Sequence, residues 1–284
     1  MTLADTAPVA AAPAPTARHY LMCRPTHFAL DYAINPWMDP SRPVDTARAV
    51  EQWEQLRATY AALGHRVETV EPVPGLPDMV FTANTATVVG SRALGARFRA
   101  PERAAEAGHV QRWLTDRGTS VTAPVAVNEA EGDLAWTGQV LLAGHGFRTE
   151  RAAHAEAAAA LGVPVVGLRL VDPRYYHLDT ALAVLDERTV AWFPPAFDAP
   201  SAARLRALFP GAVEADAADA ACLGLNAVSD GHHVVLPRQA VGLARALAGR
   251  GYSPVGVDTS ELLRAGGGPK CATLELRGVP APGR

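Results

Sequence analysis

Near the end of the chain a cysteine follows three glycines, in Gly266-Gly267-Gly268-Pro269-Lys270-Cys271. Glycine tolerates positive φ and lets a ligand approach the backbone, so such a loop can open Cys271 to a small molecule. A cysteine nucleophile acts as the thiolate and needs a proton carrier, which His177 can supply. Acids recur elsewhere: Asp78 after Pro77, the run Glu129-Ala130-Glu131-Gly132-Asp133, and Asp179. Asn84 adds an amide, and Arg103 and Arg148 add two guanidinium groups. Each residue alone has a plainer reading. Cys271 suits a small buried hydrophobe, His177 a core histidine, Asp78 a turn residue, and the glutamates an ordinary strand face. Arg103 and Arg148, at helix starts, suit surface charges.

Together they point to a site. Several carboxylates beside one cysteine suit a planar cation with many N–H donors, a guanidinium, which carboxylates grip in bidentate fashion. An acyl substrate calls instead for oxyanion donors. Arg103 and Arg148 then suit a carboxylate at the other end of an amino acid. Cys23, Cys222 and Cys271 lack metal-ligand spacing, and His177-Leu178-Asp179 with one cysteine makes no closed zinc site. No metal and no cofactor is therefore expected.

These residues lie far apart in sequence, so the fold has to gather them. Hydrophobic periodicity repeats one phrase of strand, strand, helix, strand. One copy has Ala86–Val89, a helix over Glu102–Asp116 and a strand over Ser120–Ala123. The next has strands Asp133–Gly138 and Val140–Ala143, helix Glu150–Leu161 and strand Val163–Leu170. A third has strands Thr180–Leu185 and Thr189–Phe193, helix Ser201–Leu208 and strand Ala212–Ala215. A fourth, from Cys222, has strands Leu223–Val228 and His232–Leu236, helix Ala240–Ala248 and strand Val255–Val257. A fifth is split between the termini: Cys271–Leu276, Tyr20–Cys23, helix Thr46–Leu63 and strand His65–Val70. A split repeat makes sense in a closed ring, where closure removes exposed sheet edges. The polar residues stand at or just before the first strand of each unit, so a ring brings them to one axis and one pocket. The competing reading is a generic alternating α/β domain.

The chain has 284 residues, 49% of them hydrophobic, enough for a large core. With 29 acidic and 26 basic residues the formal charge is −3, which implies no surface for nucleic acid. No apolar run approaches the roughly 18 residues of a membrane span. Residues 1–18, rich in Ala, Pro and Thr without a basic region ahead of an apolar one, read as a disordered tail, with a single domain over 19–284. Three cysteines without a pairing pattern suit a reduced, cytoplasmic setting. The sequence leaves a homo-oligomer open.

Six segments resemble, in order, the guanidino-group-modifying superfamily of dimethylarginine dimethylaminohydrolases, arginine deiminases, arginine dihydrolases and amidinotransferases. They are Pro77–Asn84, Phe98–Glu106, Glu129–Asp133, Gly146–Thr149, His177–Thr180 and Gly266–Cys271. The resemblance implies an α/β fold, a five-bladed α/β propeller (pentein) of ββαβ repeats. It implies Cys271 as nucleophile, His177 as general acid and base, Asp78 and Asp179 on guanidinium nitrogens, and Arg103 and Arg148 on the α-carboxylate. Asn84 and Asp133 fall in matching segments and are expected to line the substrate.

One motif departs from the family. The glutamate usually three residues before the aspartate is here Ala130, with glutamates on either side. Glu131 is the expected member of the catalytic set, with Glu129 as the alternative. Asn84, where many relatives have an acid, and the run Cys23–Met38 resemble the dihydrolase branch. The resemblance thus implies hydrolysis of dimethylarginine to citrulline and dimethylamine through a covalent thiouronium. Arginine deimination, dihydrolysis to ornithine and amidino transfer are the alternatives, and a catalytically inactive propeller binding cationic amino acids is the non-enzymatic one.

Overall fold

The computed structural model describes residues 14–279. Strand β1 (His19–Cys23) leads to helix α1 (Thr46–Ala62), which returns the chain to β2 (Arg66–Val70) beside β1. The helix starts where Asp45 caps it, its carboxylate accepting the Arg48 backbone N–H at 3.0 Å. Ala49, Trp53, Leu56 and Tyr60, at helical spacing, form its buried face.

Four complete units follow. The first is β3 (Ala86–Val89), β4 (Arg92–Gly95), α2 (Glu106–Thr115) and β5 (Ser120–Thr122). The second is β6 (Leu134–Trp136), β7 (Leu141–His145), α3 (Ala153–Leu161) and β8 (Val165–Arg169). The third holds β9 (Leu182–Val184), β10 (Val190–Trp192), α4 (Ala199–Leu208) and β11 (Val213–Glu214). A short helix α5 (Ala217–Ala221) precedes the fourth: β12 (Val228–Ser229), β13 (His233–Pro237), α6 (Val241–Ala248) and β14 (Ser253–Val257). Helix α7 (Ser260–Leu263) then leads to β15 (Leu274–Glu275).

All five sheets share one plan, with the first strand antiparallel to the second and the second parallel to the third across the helix. In the split unit β15 is the first strand: Tyr20 faces Glu275 antiparallel and Val67 parallel. The first strands begin at residues 86, 134, 182, 228 and 274, 46 to 48 residues apart. This is the five-bladed α/β propeller that the repeat implied.

The first strands are shorter than the periodicity suggested. The chain ahead of them coils into 3₁₀ turns at Thr82–Asn84, Ala130–Gly132 and Leu178–Thr180, each closed by the backbone N–H of the residue after it. In the fourth unit the expected strand Leu223–Val228 keeps only Val228 and continues to Ser229; Leu223 has φ +52° and the chain before it is helical. Asp216 caps that helix, accepting the Asp219 N–H at 2.8 Å. Helix α2 starts at Glu106 and not at Glu102, because Pro101–Arg103 forms a separate 3₁₀ turn.

Residues 1–13 of the expected tail lie outside the described residues. Residues 14–18 hold no regular element, and the Thr16 N–H donates to the Asp230 carbonyl at 3.0 Å. No helix among the described residues is long and apolar enough to cross a membrane.

Candidate active site

The 3₁₀ turns that shorten the first strands aim side chains inward. Cys271 follows the glycine loop and is buried beside Asn226 of the fourth blade. The Cys271 N–H donates to Asn226 Oδ1 at 3.0 Å, and Asn226 Nδ2 donates to Cys271 Sγ at 3.0 Å. A third bond from Asn226 Nδ2 to the Asp179 carbonyl, 3.1 Å, ties the two blades together. The thiol donates to Asp179 Oδ2 at 3.1 Å. Burial, with the negative Asp179 adjacent, drives the Cys271 thiol well above its ordinary range, so without ligand the cysteine is protonated. Burial also raises Asp179, partly offset by the charges of His177 and Lys270.

His177 lies against Glu129, with Nε2 to Oε2 at 2.7 Å, while its Nδ1 is buried without a partner. Burial works against the Glu129 charge. The His177 hydrogen bond and the charges of His177 and Arg148 outweigh it, holding this carboxylate far below its usual range. Arg148 Nη1 reaches both Glu129 oxygens, at 3.1 and 3.0 Å, and its Nη2 donates to the Ile34 carbonyl at 2.6 Å. Gly132 packs under the histidine: a Cβ there stands 2.3 Å from Asn84 Nδ2 and 3.1 Å from His177 Nδ1.

Arg103 is held on several sides. Its Nε lies 3.1 and 3.2 Å from the two Glu106 oxygens, and Nη2 donates to Glu106 Oε2 at 2.8 Å. Nη1 donates to Asn84 Oδ1 at 3.1 Å, Nη2 to the Asp78 carbonyl at 3.4 Å, and the group lies 4.6 Å from the Phe98 ring centre. Asp78 Oδ2 accepts from Tyr32 Oη at 3.0 Å, whereas Oδ1 is buried without a partner. Burial raises Asp78, and the Arg103 charge only partly offsets it.

Asp78, Asn84, Arg103, Arg148 and Cys271 line one small enclosed cavity, with Ile34, Asn35, Met38, Phe81, Tyr176, Ala265 and Gly267. At about 10 Å³ it has room for roughly one water, so an amino acid enters only if the lining moves. The segment carrying Ile34, Asn35 and Met38 has no helix or strand and is tied across the pocket by the Asn35 Nδ2 bond to Ala265 O, 3.0 Å.

His177 and Asp179 are not on that lining, the first standing against Glu129 and the second against the Cys271 thiol, and Glu131 and Asp133 turn to other partners. Glu131 binds Lys270 Nζ at 2.6 Å and also Arg277, and faces a separate cavity of about 770 Å³ that Asp179, Lys270 and Arg277 also line. The glutamate against His177 is therefore Glu129, because a 3₁₀ turn with Ala130 at φ +49° sends the two glutamates to different sides. Asp133 is occupied by the chain itself: Oδ1 accepts the Leu178 N–H at 3.0 Å and Oδ2 the Thr149 N–H at 3.3 Å. It braces the second and third blades and is absent from the lining of the Cys271 cavity.

Repeat register carried a signal for Glu129. Glu129 and His177 both stand five residues ahead of their first strands, whereas Glu131, Asp179 and Cys271 stand three ahead. Equivalent positions in neighbouring blades meet, so His177 calls for Glu129. Asn226 and Glu106 were present in the sequence without a role; their contacts appear only in three dimensions.

Five ββαβ blades around a buried cysteine, histidine and acids define an enzyme of the guanidino-modifying class, and comparison with known proteins agrees. No family model matches the chain. It is 54% identical to an N(G),N(G)-dimethylarginine dimethylaminohydrolase of Mycobacterium tuberculosis, over 92% of this chain and 87% of that protein. It is 37% identical to the bifunctional arginine dihydrolase/ornithine cyclodeaminase ArgZ of Synechocystis, over 90% of this chain but 37% of that longer protein. The solved N-terminal domain of ArgZ superposes with a TM-score of 0.88 at 35% identity, covering 92% of this chain and 98% of that domain. A solved dimethylarginine dimethylaminohydrolase superposes at 0.74 and 21% identity, a likeness of fold alone. The chain belongs to the dimethylarginine dimethylaminohydrolase family of hydrolases.

Proposed function

We propose that the protein hydrolyses dimethylarginine to citrulline and dimethylamine through a covalent intermediate on Cys271. The observation that carries this reading is a set of buried polar atoms without partners on the expected site residues: Asp78 Oδ1, Asp179 Oδ1 and His177 Nδ1. Such atoms are costly unless a ligand satisfies them. The Asp179 carboxylate touches the thiol and Asp78 lines the cavity that Cys271 lines, and unpaired carboxylate oxygens there call for a cation with N–H groups on one plane.

The resting thiol is neutral, and the substrate's charge supplies what the site lacks. A guanidinium against Asp179 and Sγ lowers both pKa values and favours the thiolate. Sulfur attacks the guanidinium carbon, the bond to the dimethylated nitrogen breaks, and His177, held by Glu129, donates a proton to that nitrogen. Dimethylamine departs, leaving a thiouronium on Cys271. Water then loses a proton to His177 and attacks the same carbon; the C–S bond breaks and citrulline leaves. Arg148 and Arg103 receive the amino-acid carboxylate. The three cysteines, unpaired in the structure, suit the cytoplasm.

Arginine dihydrolysis is the second reading, favoured by the ArgZ superposition and by the Asn84 amide on the pocket lining. Mass spectrometry of products from arginine, monomethylarginine and asymmetric dimethylarginine, offered together, separates the two. Dimethylamine with citrulline supports the first; ornithine with ammonia from arginine replaces it with the second.

A further inference from the structure

We propose that Glu106 is a positioning residue that presents Arg103 to the carboxylate end of the substrate. The inference rests on the reading of the pocket as a site for an arginine derivative. Glu106 is fully buried at the start of α2, touches neither the cavity nor Cys271, and spends both oxygens on Arg103. A guanidinium has five N–H donors. Those on Nε and Nη2 go to Glu106 and the Asp78 carbonyl, and one on Nη1 goes to Asn84. One Nη1 donor therefore remains, on a side chain that lines the cavity. The fork to Glu106, the Phe98 face at 4.6 Å and the Asn84 amide fix where that donor lies.

Geometry, and not charge alone, is what Glu106 supplies. Arg148 is likewise neutralised, by Glu129. A substrate carboxylate therefore meets two arginines whose charges are already balanced, and its affinity depends on the placing of the remaining N–H groups. Burial pushes Glu106 up to about 7 against the opposing Arg103 charge, consistent with a carboxylate whose ionisation is held by one contact.

Two variants separate placement from charge. Glu106→Asp keeps the charge and withdraws the fork by one methylene; Glu106→Gln keeps the length and removes the charge. Each is assayed for kcat and KM with dimethylarginine. Each is also assayed for the rate at which Cys271 is alkylated by a haloacetamidine, a planar cationic electrophile with no carboxylate. We expect KM to rise about tenfold in both variants, with kcat and the alkylation rate within about twofold of wild type. Equal loss in both assays overturns the inference, since the pair then only supports the fold. A lower KM in Glu106→Gln with Glu106→Asp unchanged also overturns it, since charge balance is then the role. Wild-type protein with neither turnover nor alkylation marks failure of the underlying reading instead.

Discussion

Glu129 and Glu131 stand two residues apart, yet they face opposite partners. Glu129 joins His177 and Arg148, whereas Glu131 is locked between Lys270 and Arg277. Glu129→Gln is expected to lower kcat about 10²- to 10³-fold, within the range of general acid–base contributions, with a modest change in KM. Glu131→Gln is expected to leave kcat within about threefold. It should cost about 2–3 kcal/mol in urea unfolding, because it leaves two partly exposed cations without their buried acid. The Cys271 thiol is raised by burial and then by Asp179. Removing that negative neighbour lowers the thiol pKa, so Asp179→Asn should be alkylated by a neutral reagent at pH 8 about tenfold faster than wild type. The same variant should turn over dimethylarginine more slowly, having lost an acceptor for the guanidinium. A stopped-flow alkylation series against pH checks the sign.

At the scale of elements, the repeat was legible and its entry turns were not. The recurring phrase of strand, strand, helix and strand placed the helices and most second and third strands to within a few residues, but it passed over β4. The split blade followed from sequence too, since β15 could find a partner only by meeting β1. The turns before β3, β6 and β9 escaped because a 3₁₀ turn of three residues has no hydrophobic period to read. They decide which side chains face the cysteine, so Glu131 and Asp133 turn to other partners while Asp78, Asn84, Arg103 and Arg148 line its cavity. Gly132 shows how tightly such a turn is set. A Cβ there falls 2.3 Å from Asn84 Nδ2 and 3.1 Å from His177 Nδ1. Gly132→Ala should therefore displace the Asn84 amide and crowd the histidine, lowering kcat about tenfold. Circular dichroism should show the blades intact.

Over the whole molecule, the ring concentrates charge at its axis, and stability follows the titration of the buried acids. Glu129 is depressed below its reference value of 4.5 despite burial, by His177 and Arg148. Its contribution is present above pH 4.5 and is lost as pH falls below that value. Glu106, raised by burial to about 7, acts in the opposite sense: its contribution is present below 4.5 and lost as pH rises through about 7. Urea unfolding from pH 3 to 8 should show Glu129→Gln with a flatter acid limb and Glu106→Gln with a flatter neutral limb than wild type. The central claim is that these blades bring Cys271 to the guanidinium carbon of a methylated arginine. Its most direct test is rapid quenching with asymmetric dimethylarginine, followed by intact-protein and peptide mass spectrometry. The account predicts a transient adduct on the Cys271 peptide that decays as citrulline and dimethylamine appear in equal amounts. Dimethylamine release by a Cys271→Ser variant at the wild-type rate, or no adduct and no product with wild type, would contradict it.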